Sequence, residues 1–471
     1  MLMNSNMFDF SRFKNNTACI IPTGEVLSYG DLHDLSLRIA ERIAPHQLVF
    51  CLCGNNIGAL AGYVAFVNNG NAALLLDSHI EPVAFEKLYD VYRPRYVWAP
   101  VDFGMKNAPA SIYNERGYAL FEISENHTRI ADELSVLLTT SGSTGSPKLV
   151  RLSRRNLESN ALSIIEYLHI TDKERPVTSL PMYYSFGLSV INSHLLAGAT
   201  LLLTEASYVE REFWQFAISN GLTSFSGVPY TYEILKRLKL WKQPMPTLRT
   251  FTQAGGKLDN ELVKFFIDKF QPSGVNFYLM YGQTEATARM SYLEPKYGLE
   301  KLGSIGKGIP GGEFCLVDDG GAQIEEPDHV GELVYKGDNV CLGYAEKADD
   351  LTKGDENGGI LHTGDLAFRD NDGFYFIAGR KKRFLKLFGN RISLDYVETL
   401  LKKDLLSDCV CVGNDSKLIA YTTDERFDAE KIIDYLVSRT KILRTVFSVR
   451  YITQIPRSET GKIQYNKLII D

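Results

Sequence analysis

A short segment rich in serine, threonine and glycine offers the clearest chemistry in the chain. Residues 137–150 read LLTTSGSTGSPKLV, so apolar and β-branched residues lead into small residues and then Lys148. Backbone N–H groups of small residues can converge on an anion, and hydroxyls and a lysine add donors and charge. The segment has neither the G-x-x-x-x-G-K-[ST] nor the G-x-G-x-x-G spacing. Taken alone, it suits a phosphate site as well as a surface turn or linker.

Three further segments combine residue types that handle nucleotides and acids. YGQTEATAR (281–289) places an aromatic ring, a hydroxyl and a carboxylate within five residues. HTGD (362–365) ends in an aspartate, and PRSETGKI (456–463) places Lys462 directly after a glycine. A lone lysine near a C-terminus is normally an exposed, solvated side chain. Each of these segments alone is therefore weak evidence for a nucleotide site, and only their combination supports one.

The elements that position these residues alternate between strand and helix. Apolar runs of strand length surround helical patterns, as in QLVFCLCG, NIGALAGYVAFVNNG and AALLLD (47–77), followed by RYVWAP (95–100). The same alternation of apolar runs and helical patterns occurs again over residues 200–229. Apolar strands separated by helices predict parallel sheets covered on both faces. We therefore predict an α/β fold with two doubly wound sheets.

The composition and the pattern of predicted elements change twice towards the C-terminus. After residue 303 the chain is rich in Gly, Pro and Asp with short strands, which predicts a small β-barrel. Beyond GRKKRFLKLFGN (379–390), a helix, two strands, a helix and a strand predict a small α+β domain. We place the boundary between an N-terminal core, 1–380, and a C-terminal domain, 381–471.

Composition excludes some classes of function. The 471 residues carry a net charge of −6, which argues against a nucleic-acid binder with its basic face. The most apolar stretch, LLAGATLLL (195–203), is too short to span a bilayer, and the N-terminus lacks the order of a signal peptide. We expect a cytoplasmic protein without a membrane span.

The seven cysteines predict buried packing rather than a metal site. Two pairs, Cys51/Cys53 and Cys409/Cys411, are spaced C-x-C inside apolar runs. Strand alternation puts each pair on one face of a sheet, where cysteine behaves as a small hydrophobe. Metal sites more often use C-x-x-C with a second matching pair.

In this order and at these separations, TTSGSTGSPK, YGQTEATAR, HTGD and PRSETGK resemble the adenylate-forming (AMP-binding) enzyme superfamily. That superfamily includes acyl-CoA synthetases, nonribosomal peptide synthetase adenylation domains and firefly luciferase. LSYGDLHDLSLRIA (27–40) and GELVYKGDNVCLGY (331–344) extend the resemblance over nearly the whole chain. It implies a large N-terminal adenylation core and a small mobile C-terminal lid with a hinge near Lys382.

The resemblance implies sites for ATP and Mg²⁺. Thr284 matches the hydroxyl that contacts the α-phosphate, and Glu285 matches the metal-binding carboxylate. A single glutamate suits Mg²⁺, which prefers one or two carboxylates plus phosphate oxygens. The residues that match the loop around the β- and γ-phosphates are Thr140, Ser141, Gly142, Ser143, Thr144, Gly145 and Lys148.

Other nucleotide contacts follow from the same resemblance. Tyr281 matches the aromatic residue that stacks on adenine, and Gly255 and Gly256 match the segment that lines the adenine and acyl pocket. Asp365 matches the acceptor for both ribose hydroxyls, and Arg380 is expected near the ribose and phosphate.

Two lysines are assigned to different half-reactions by the resemblance. Lys462 matches the lysine that bridges the acid and the α-phosphate, offsetting charge in the transition state. Lys386 matches a lysine used in the second half-reaction, and Lys382 stands at the hinge. The basic run around them (380–386) also suggests a nucleic-acid or localisation patch, which the acidic chain disfavours.

The segment SLPMYYSFGLSVINSHLLAGA (179–199) aligns with the family's acid-binding helix. Amino-acid-activating members carry F-D-x-S there, whereas this chain has Gly187 in place of the aspartate. A buried ammonium without a partner is costly, so a fatty, aryl or other uncharged carboxylic acid is expected rather than an ordinary α-amino acid. Tyr184 replaces the histidine of many acyl-CoA members. Phe186, Val228 and Tyr230 are further pocket candidates, or plain core residues.

These inferences predict an ATP-dependent ligase that adenylates a small carboxylic acid and transfers it to a phosphopantetheine thiol. No carrier domain is seen before residue 471, so we expect the acceptor, coenzyme A or a separate carrier protein, to arrive in trans. A catalytically silent nucleotide-binding regulatory protein is the alternative, and a luciferase-like oxidation is a remote third. The acid and the acceptor are not identified by the sequence.

Overall fold

The structure, a computed structural model, describes residues 6–105, 109–123, 128–139, 148–387, 390–404, 406, 408–414, 416–440, 442–457 and 463–468. Over these residues the helices are α1 Tyr29–Ala40, α2 Ile57–Asn68, α3 Pro82–Tyr92, α4 Arg154–Leu168, α5 Ser185–Leu196, α6 Arg211–Ser219, α7 Pro229–Arg237, α8 Asn260–Phe270, α9 Leu394–Asp404 and α10 Ala429–Thr440.

The strands, in chain order, are β1 Thr17–Ile20, β2 Val26–Ser28, β3 Leu48–Cys53, β4 Ala72–Asp77, β5 Tyr96–Pro100, β6 Tyr113–Glu115, β7 Tyr118–Glu122, β8 Leu134–Thr139, β9 Leu149–Ser153, β10 Leu201–Leu202, β11 Ser224–Gly227, β12 Thr250–Gln253, β13 Asn276–Tyr281, β14 Ser291–Leu293, β15 Lys307–Gly308, β16 Gly312–Val317, β17 Gly331–Gly337, β18 Gly343–Ala345, β19 Ile360–Arg369, β20 Tyr375–Arg380, β21 Phe384–Leu387, β22 Asn390–Ser393, β23 Cys409–Asn414, β24 Lys417–Thr422 and β25 Phe447–Tyr451.

An eight-stranded sheet has the order β18-β9-β8-β4-β3-β5-β7-β6, and its central strands are parallel. Alternate residues of β3 face opposite sides of the sheet. Cys51 and Cys53 pack in one apolar core with α1 and α2, while Phe50 and Leu52 pack in another with α3. The predicted double cover of this sheet and the buried setting of the Cys51/Cys53 pair are both confirmed.

A five-stranded sheet, β11-β12-β13-β14-β15, brings three distant segments to one edge. Its first three strands are parallel, with Gly227 beside Gln253 and Gln253 beside Leu279. The carboxyl ends of these strands are therefore level. In open parallel sheets this edge is where ligands bind.

Two further sheets differ from the sequence-based expectation. The strand predicted at 200–205 is shortened to the two residues of β10. It pairs with β1 in a three-stranded sheet, β10-β1-β2, in which Leu201 lies opposite Cys19. The glycine- and proline-rich region predicted as a small barrel supplies a four-stranded sheet, β16-β17-β19-β20, with β16 and β20 at its edges.

Helix α5 lies in the interior of its unit. Every residue from Ser185 to Leu195 is buried. Leu188 and Ile191 pack in the core below the large sheet, whereas Phe186 and Val190 pack in a second apolar cluster. Side chains on this helix therefore act on internal sites rather than on the surface.

The chain divides into two compact units, residues 1–313 with 335–361 and residues 314–334 with 362–471. The second unit holds most of the four-stranded sheet, the hairpin β21-β22 and a sheet β23-β24-β25 with α9 and α10. Its helix–strand–strand–helix–strand order is the predicted α+β arrangement, and the domain boundary at residue 380 stays a prediction. Among the described helices, none is both long and apolar enough to cross a membrane.

Candidate active site

Lys148 is the first described residue after the serine- and glycine-rich segment. Its Nζ atom lies 3.6 Å from the centre of the Tyr344 ring and 4.0 Å from Oε1 of Glu346. Strands β9 and β18 pair antiparallel, which places Tyr344 opposite Val150 and so beside Lys148. The predicted phosphate-loop residues Thr140, Ser141, Gly142, Ser143, Thr144 and Gly145 lie outside the described residues.

Tyr344 also contacts the predicted metal ligand. Its hydroxyl donates a 2.9 Å hydrogen bond to Oε1 of Glu285. Burial and the Glu285 charge raise the pKa of Tyr344, so the phenol stays protonated and donating at neutral pH. One tyrosine thus brings Lys148 and Glu285 together, a cation and an anion of the kinds that a metal–phosphate group requires. A nucleotide-bound Mg²⁺ fits this donor set, because it needs one or two carboxylates beside phosphate oxygens.

Thr284 opens the single helical turn Thr284–Ala286 that follows β13. Its Oγ1 atom lies 3.1 Å from Oγ of Ser185, the first residue of α5. The next residue, Glu285, faces Tyr344 instead. One turn therefore contacts the helix predicted to bind the acid and also the side chain that meets Lys148.

Tyr281 is the last residue of β13, at the carboxyl edge of the parallel strands in the five-stranded sheet. Gln283 Nε2 donates a 3.1 Å hydrogen bond to its hydroxyl, which restrains the ring. Gly256 follows β12 at the same edge, and its carbonyl accepts a 2.9 Å hydrogen bond from Gln253 Nε2.

Gly255 sits where only glycine fits. Its φ is +84°, and an added Cβ would lie 2.7 Å from the hydroxyl oxygen of Tyr184 and 3.2 Å from Cγ1 of Val228. Both features exclude a side chain. The structure thus brings three predicted site residues, Gly255, Tyr184 and Val228, into direct proximity.

The predicted acid pocket is largely apolar. Tyr184, Phe186 and Val228 are buried in one cluster with Met280. Burial raises the pKa of Tyr184 to about 12, so its phenol is neutral. Tyr230 differs, because 37% of it is exposed on α7. The first three remain pocket candidates, while Tyr230 lies outside this cluster.

Gly187 is held against the backbone of the preceding turn. A Cβ added there would lie 2.1 Å from the carbonyl oxygen of Pro181 and 3.0 Å from that of Leu180. Real Cβ atoms do not approach so closely. An aspartate at this position would therefore need a backbone shift, which explains physically why the ammonium-binding carboxylate is missing.

Sequence reasoning missed Arg289. The quoted segment YGQTEATAR ends on it, yet no spacing rule gave it a role. Its side chain is buried, Nε donates a 3.0 Å hydrogen bond to Ser189 Oγ, and Cζ lies 5.0 Å from the centre of the Phe186 ring. A positive charge therefore borders the acid pocket.

In the second unit, Asp365 and Arg380 face each other across β19 and β20. They are directly paired in register, and Arg380 Nε lies 3.2 Å from Asp365 Oδ1. The Asp365 amide donates to Thr363 Oγ1 at 3.1 Å. Asp365 is buried, whereas 67% of the Arg380 side chain is exposed. The predicted ribose and phosphate ligands are thus neighbours.

The basic run that follows is largely paired. Lys381 Nζ lies 2.9 Å from Glu332, and Arg383 makes 2.5 Å contacts with Asp395 and Glu398 on α9. Burial raises the pKa of Glu398 despite the Arg383 charge, which marks a partly desolvated pair. This pairing gives the run a structural role within its unit.

The remaining predicted residues are located by backbone only or not at all. Lys382 is the central residue of the turn Lys381–Arg383, and Lys386 lies in the hairpin strand β21. Lys462 lies outside the described residues. The roles of all three stay predictions.

Comparison with known proteins shows the family of the chain. Residues 9–345 match the family described as AMP-binding enzyme. The chain is 28% identical over 349 residues to the sulfoacetate–CoA ligase of Cupriavidus necator, covering 72% of this chain and 67% of that protein. It is 25% identical over 462 residues to the 2-succinylbenzoate–CoA ligase of Bacillus cytotoxicus, covering 94% and 93%.

Among solved structures, the O-succinylbenzoate coenzyme A synthetase MenE from Bacillus subtilis, in complex with ATP and magnesium ion, superposes with a TM-score of 0.78. The two chains are 22% identical, and 96% of each is covered. This likeness concerns the fold, and it confirms the α/β architecture with a large N-terminal and a small C-terminal part. The match over residues 9–345 makes the chain a member of the AMP-binding enzyme family.

Proposed function

We propose that this protein is an AMP-forming acid–thiol ligase. It would activate a carboxylic acid as an acyl-adenylate and transfer the acyl group to a phosphopantetheine thiol. The observation that carries this proposal is the Thr284–Glu285 turn. Its hydroxyl meets Ser185 on the acid-binding helix, and its carboxylate meets the tyrosine under Lys148. An acid and a triphosphate would therefore meet at this turn.

In the first half-reaction the acid's carboxylate oxygen attacks the α-phosphorus of ATP. The bond to the bridging oxygen breaks, and pyrophosphate leaves with the electron pair. Lys148 and the loop before it hold the leaving pyrophosphate, and Thr284 donates to the α-phosphate. Lys462 bridges the two reacting groups and offsets the developing charge. Glu285 would hold Mg²⁺, which would supply positive charge to the phosphates.

The nucleoside contacts in this proposal follow the family resemblance. Tyr281, at the end of β13, stacks on adenine beside Gly255 and Gly256. Asp365 accepts hydrogen bonds from the ribose hydroxyls, and Arg380 contributes positive charge near the phosphate.

The second half-reaction needs a different arrangement of the C-terminal part. Rotation about Lys382 would withdraw Lys462 and bring in the β21 segment with Lys386. The thiol, losing its proton, attacks the acyl carbonyl, and AMP leaves with the electrons of the acyl–phosphate bond. The named relatives are CoA ligases, so coenzyme A is the favoured acceptor, with a separate carrier protein as the second choice.

The acid is proposed not to be an ordinary α-amino acid. Gly187 leaves no room for the carboxylate that would pair an ammonium, and Arg289 adds a positive charge nearby. An ammonium in this setting would be buried without a partner and close to a like charge, which is costly.

The test is exchange of labelled pyrophosphate into ATP across a panel of carboxylic acids, with hydroxylamine trapping of the adenylate. The panel includes sulfoacetate, 2-succinylbenzoate, aliphatic and aryl acids, and the common amino acids. Acid-dependent exchange followed by thioester formation with coenzyme A is the expected result. ATP binding without exchange for any acid would instead favour a silent nucleotide-binding protein.

A further inference from the structure

Arg289 is a buried cation with neutral surroundings. Only 1% of it is exposed, and a guanidinium is always protonated. Nε donates to Ser189 Oγ at 3.0 Å, and Nη1 donates to the Tyr167 hydroxyl at 3.3 Å and lies 3.7 Å from Met280 Sδ. Its fourth neighbour is the ring of Phe186. None of the described residues places a carboxylate within ion-pairing distance of it.

Two other arginines whose side chains have little exposure, Arg151 and Arg383, show which interaction Arg289 lacks. Arg151 pairs with Glu356 at 2.5 Å and also donates to several backbone carbonyls. Arg383 pairs with Glu398 and a second carboxylate. A buried charge without a counter-charge is costly, and this fold elsewhere supplies one. Arg289 is thus left with its charge uncompensated within the described part of the chain.

The free side of Arg289 borders the acid pocket. Tyr167, Phe186 and Met280, which it contacts, belong to the same apolar cluster as Tyr184. The Nη2 nitrogen has no hydrogen-bond acceptor among the described residues, while Nε and Nη1 are satisfied. A planar guanidinium with an unused nitrogen suits a carboxylate or sulfonate.

We propose that Arg289 binds a second anionic group of the acid. The substrates are then short acids with two anionic groups, either dicarboxylates or carboxylates that carry a sulfonate. This inference rests on the proposed ligase function and names its substrate class, which replaces the fatty, aryl or other uncharged acid expected from the sequence.

Helix α5 sets the length of such an acid. Ser185 contacts Thr284, where the reacting carboxylate is proposed to lie, and Ser189 contacts Arg289. These serines are four residues apart on one helix, so they stand about 6 Å apart along its axis. The two anionic groups of the acid would therefore be separated by only a few carbon atoms.

The test compares acids that differ only in charge. Succinate, glutarate and adipate are each measured against their mono-amides in the pyrophosphate-exchange assay with the wild-type protein. We expect at least one diacid to exceed its mono-amide in kcat/KM by about tenfold to a hundredfold, the range for losing a charge-assisted hydrogen bond. This comparison needs no variant, so misfolding cannot obscure it.

Two variants then assign the effect to Arg289. In Arg289→Met the ratio of kcat/KM for the diacid to that for its mono-amide should fall towards one, mainly through a higher KM for the diacid. Arg289→Lys should retain part of the preference. Exchange with the mono-amide reports that each variant is folded. Equal use of diacid and mono-amide by the wild type, or an unchanged preference in Arg289→Met, overturns this inference but leaves the ligase function intact. Absence of exchange with every acid overturns both.

Discussion

The Tyr344 hydroxyl donates a 2.9 Å hydrogen bond to the Glu285 carboxylate, and Lys148 lies over the same ring. Tyr344 lies on β18, Glu285 lies in the turn after β13, and Lys148 directly precedes β9. The aromatic ring attracts the ammonium group, and the phenol orients the carboxylate. A single side chain therefore organises both charges that the proposed triphosphate site uses.

Tyr344→Phe should weaken the use of MgATP. The ring under Lys148 is kept, but Glu285 loses its donor, so the KM for MgATP should rise by about tenfold. Steady-state pyrophosphate exchange at varied MgATP and free Mg²⁺ measures this. Tyr344→Ala, which also removes the ring, should be weaker still. An equal KM for MgATP in Tyr344→Phe and the wild type would contradict a role for the Tyr344–Glu285 hydrogen bond in the metal–phosphate site.

Gly187→Asp should not create an amino-acid ligase. The new Cβ would lie 2.1 Å from the Pro181 carbonyl oxygen, so the substitution should lower the free energy of unfolding by about 2 kcal/mol. Chemical denaturation measures this, and exchange with amino acids measures specificity. Gly104→Ala is the matched control, because a Cβ there meets nothing within 4 Å. Amino-acid-dependent exchange by a stable Gly187→Asp variant would contradict the steric argument.

Arg383→Met should destabilise the second unit. It leaves Glu398, whose side chain is only 11% exposed, without its 2.5 Å partner. Breaking one side of a buried ion pair costs about 3 kcal/mol. Denaturant titration should show that loss, and the double variant Arg383→Met/Glu398→Leu should recover much of it. A double variant no more stable than the single one would count against a desolvated pair.

His194 should make stability depend on pH. Burial, with a smaller effect from Arg289, lowers the pKa of His194 from 6.5 to about 4, although a hydrogen bond to Val190 acts in the opposite direction. The unfolded chain therefore takes up a proton that the folded chain excludes. The contribution of His194 is complete above about pH 6.5 and is lost as the pH falls towards 4, by about 3 kcal/mol in total.

Unfolding free energies between pH 7 and pH 4 measure this slope. His194→Phe should flatten it, whereas His79→Asn, at an imidazole that is 89% exposed, should leave it unchanged. An identical slope in His194→Phe and the wild type would show that other groups cause the dependence.

Lys462→Ala and Lys386→Ala should separate the two half-reactions. We expect Lys462→Ala to abolish pyrophosphate exchange while leaving thiolation of a preformed adenylate largely intact. Lys386→Ala should show the reverse bias. Loss of both steps in either variant would remove the division of labour proposed for these lysines.

Local patterns predicted much of the fold. The strands at 47–54 and 72–77 and the helix between them were found within a few residues, because long apolar runs leave few alternatives. The burial of Cys51 and Cys53 followed from alternation along one strand. By contrast, β10 pairs with β1, about 180 residues earlier in the chain, and no local pattern predicts such a partner.

The site residues were likewise predictable from the sequence only in part. Glu285 and Lys148 were identified through motif resemblance, but Tyr344 was not, because its role depends on the pairing of β18 with β9. Arg289 was missed because its proposed role depends on its burial without a carboxylate partner among the described residues, and the sequence does not show this. A charged residue within an otherwise ordinary segment gives no sign of its burial until the fold brings Ser189 and Phe186 around it.

Asp395 holds the chain on both sides of Lys382. Its Oδ2 accepts a 3.2 Å hydrogen bond from the Arg380 amide, and its Oδ1 lies 2.5 Å from Arg383 Nε. Arg383 also pairs with Glu398 on the same helix, so the proposed rotation about Lys382 would carry these pairs with α9 and break the hydrogen bond from Arg380. Such a bond contributes about 1 kcal/mol, little more than thermal energy. This hydrogen bond alone would therefore be a small barrier to the proposed rotation, and the packing of α9 against β20 would have to be given up as well.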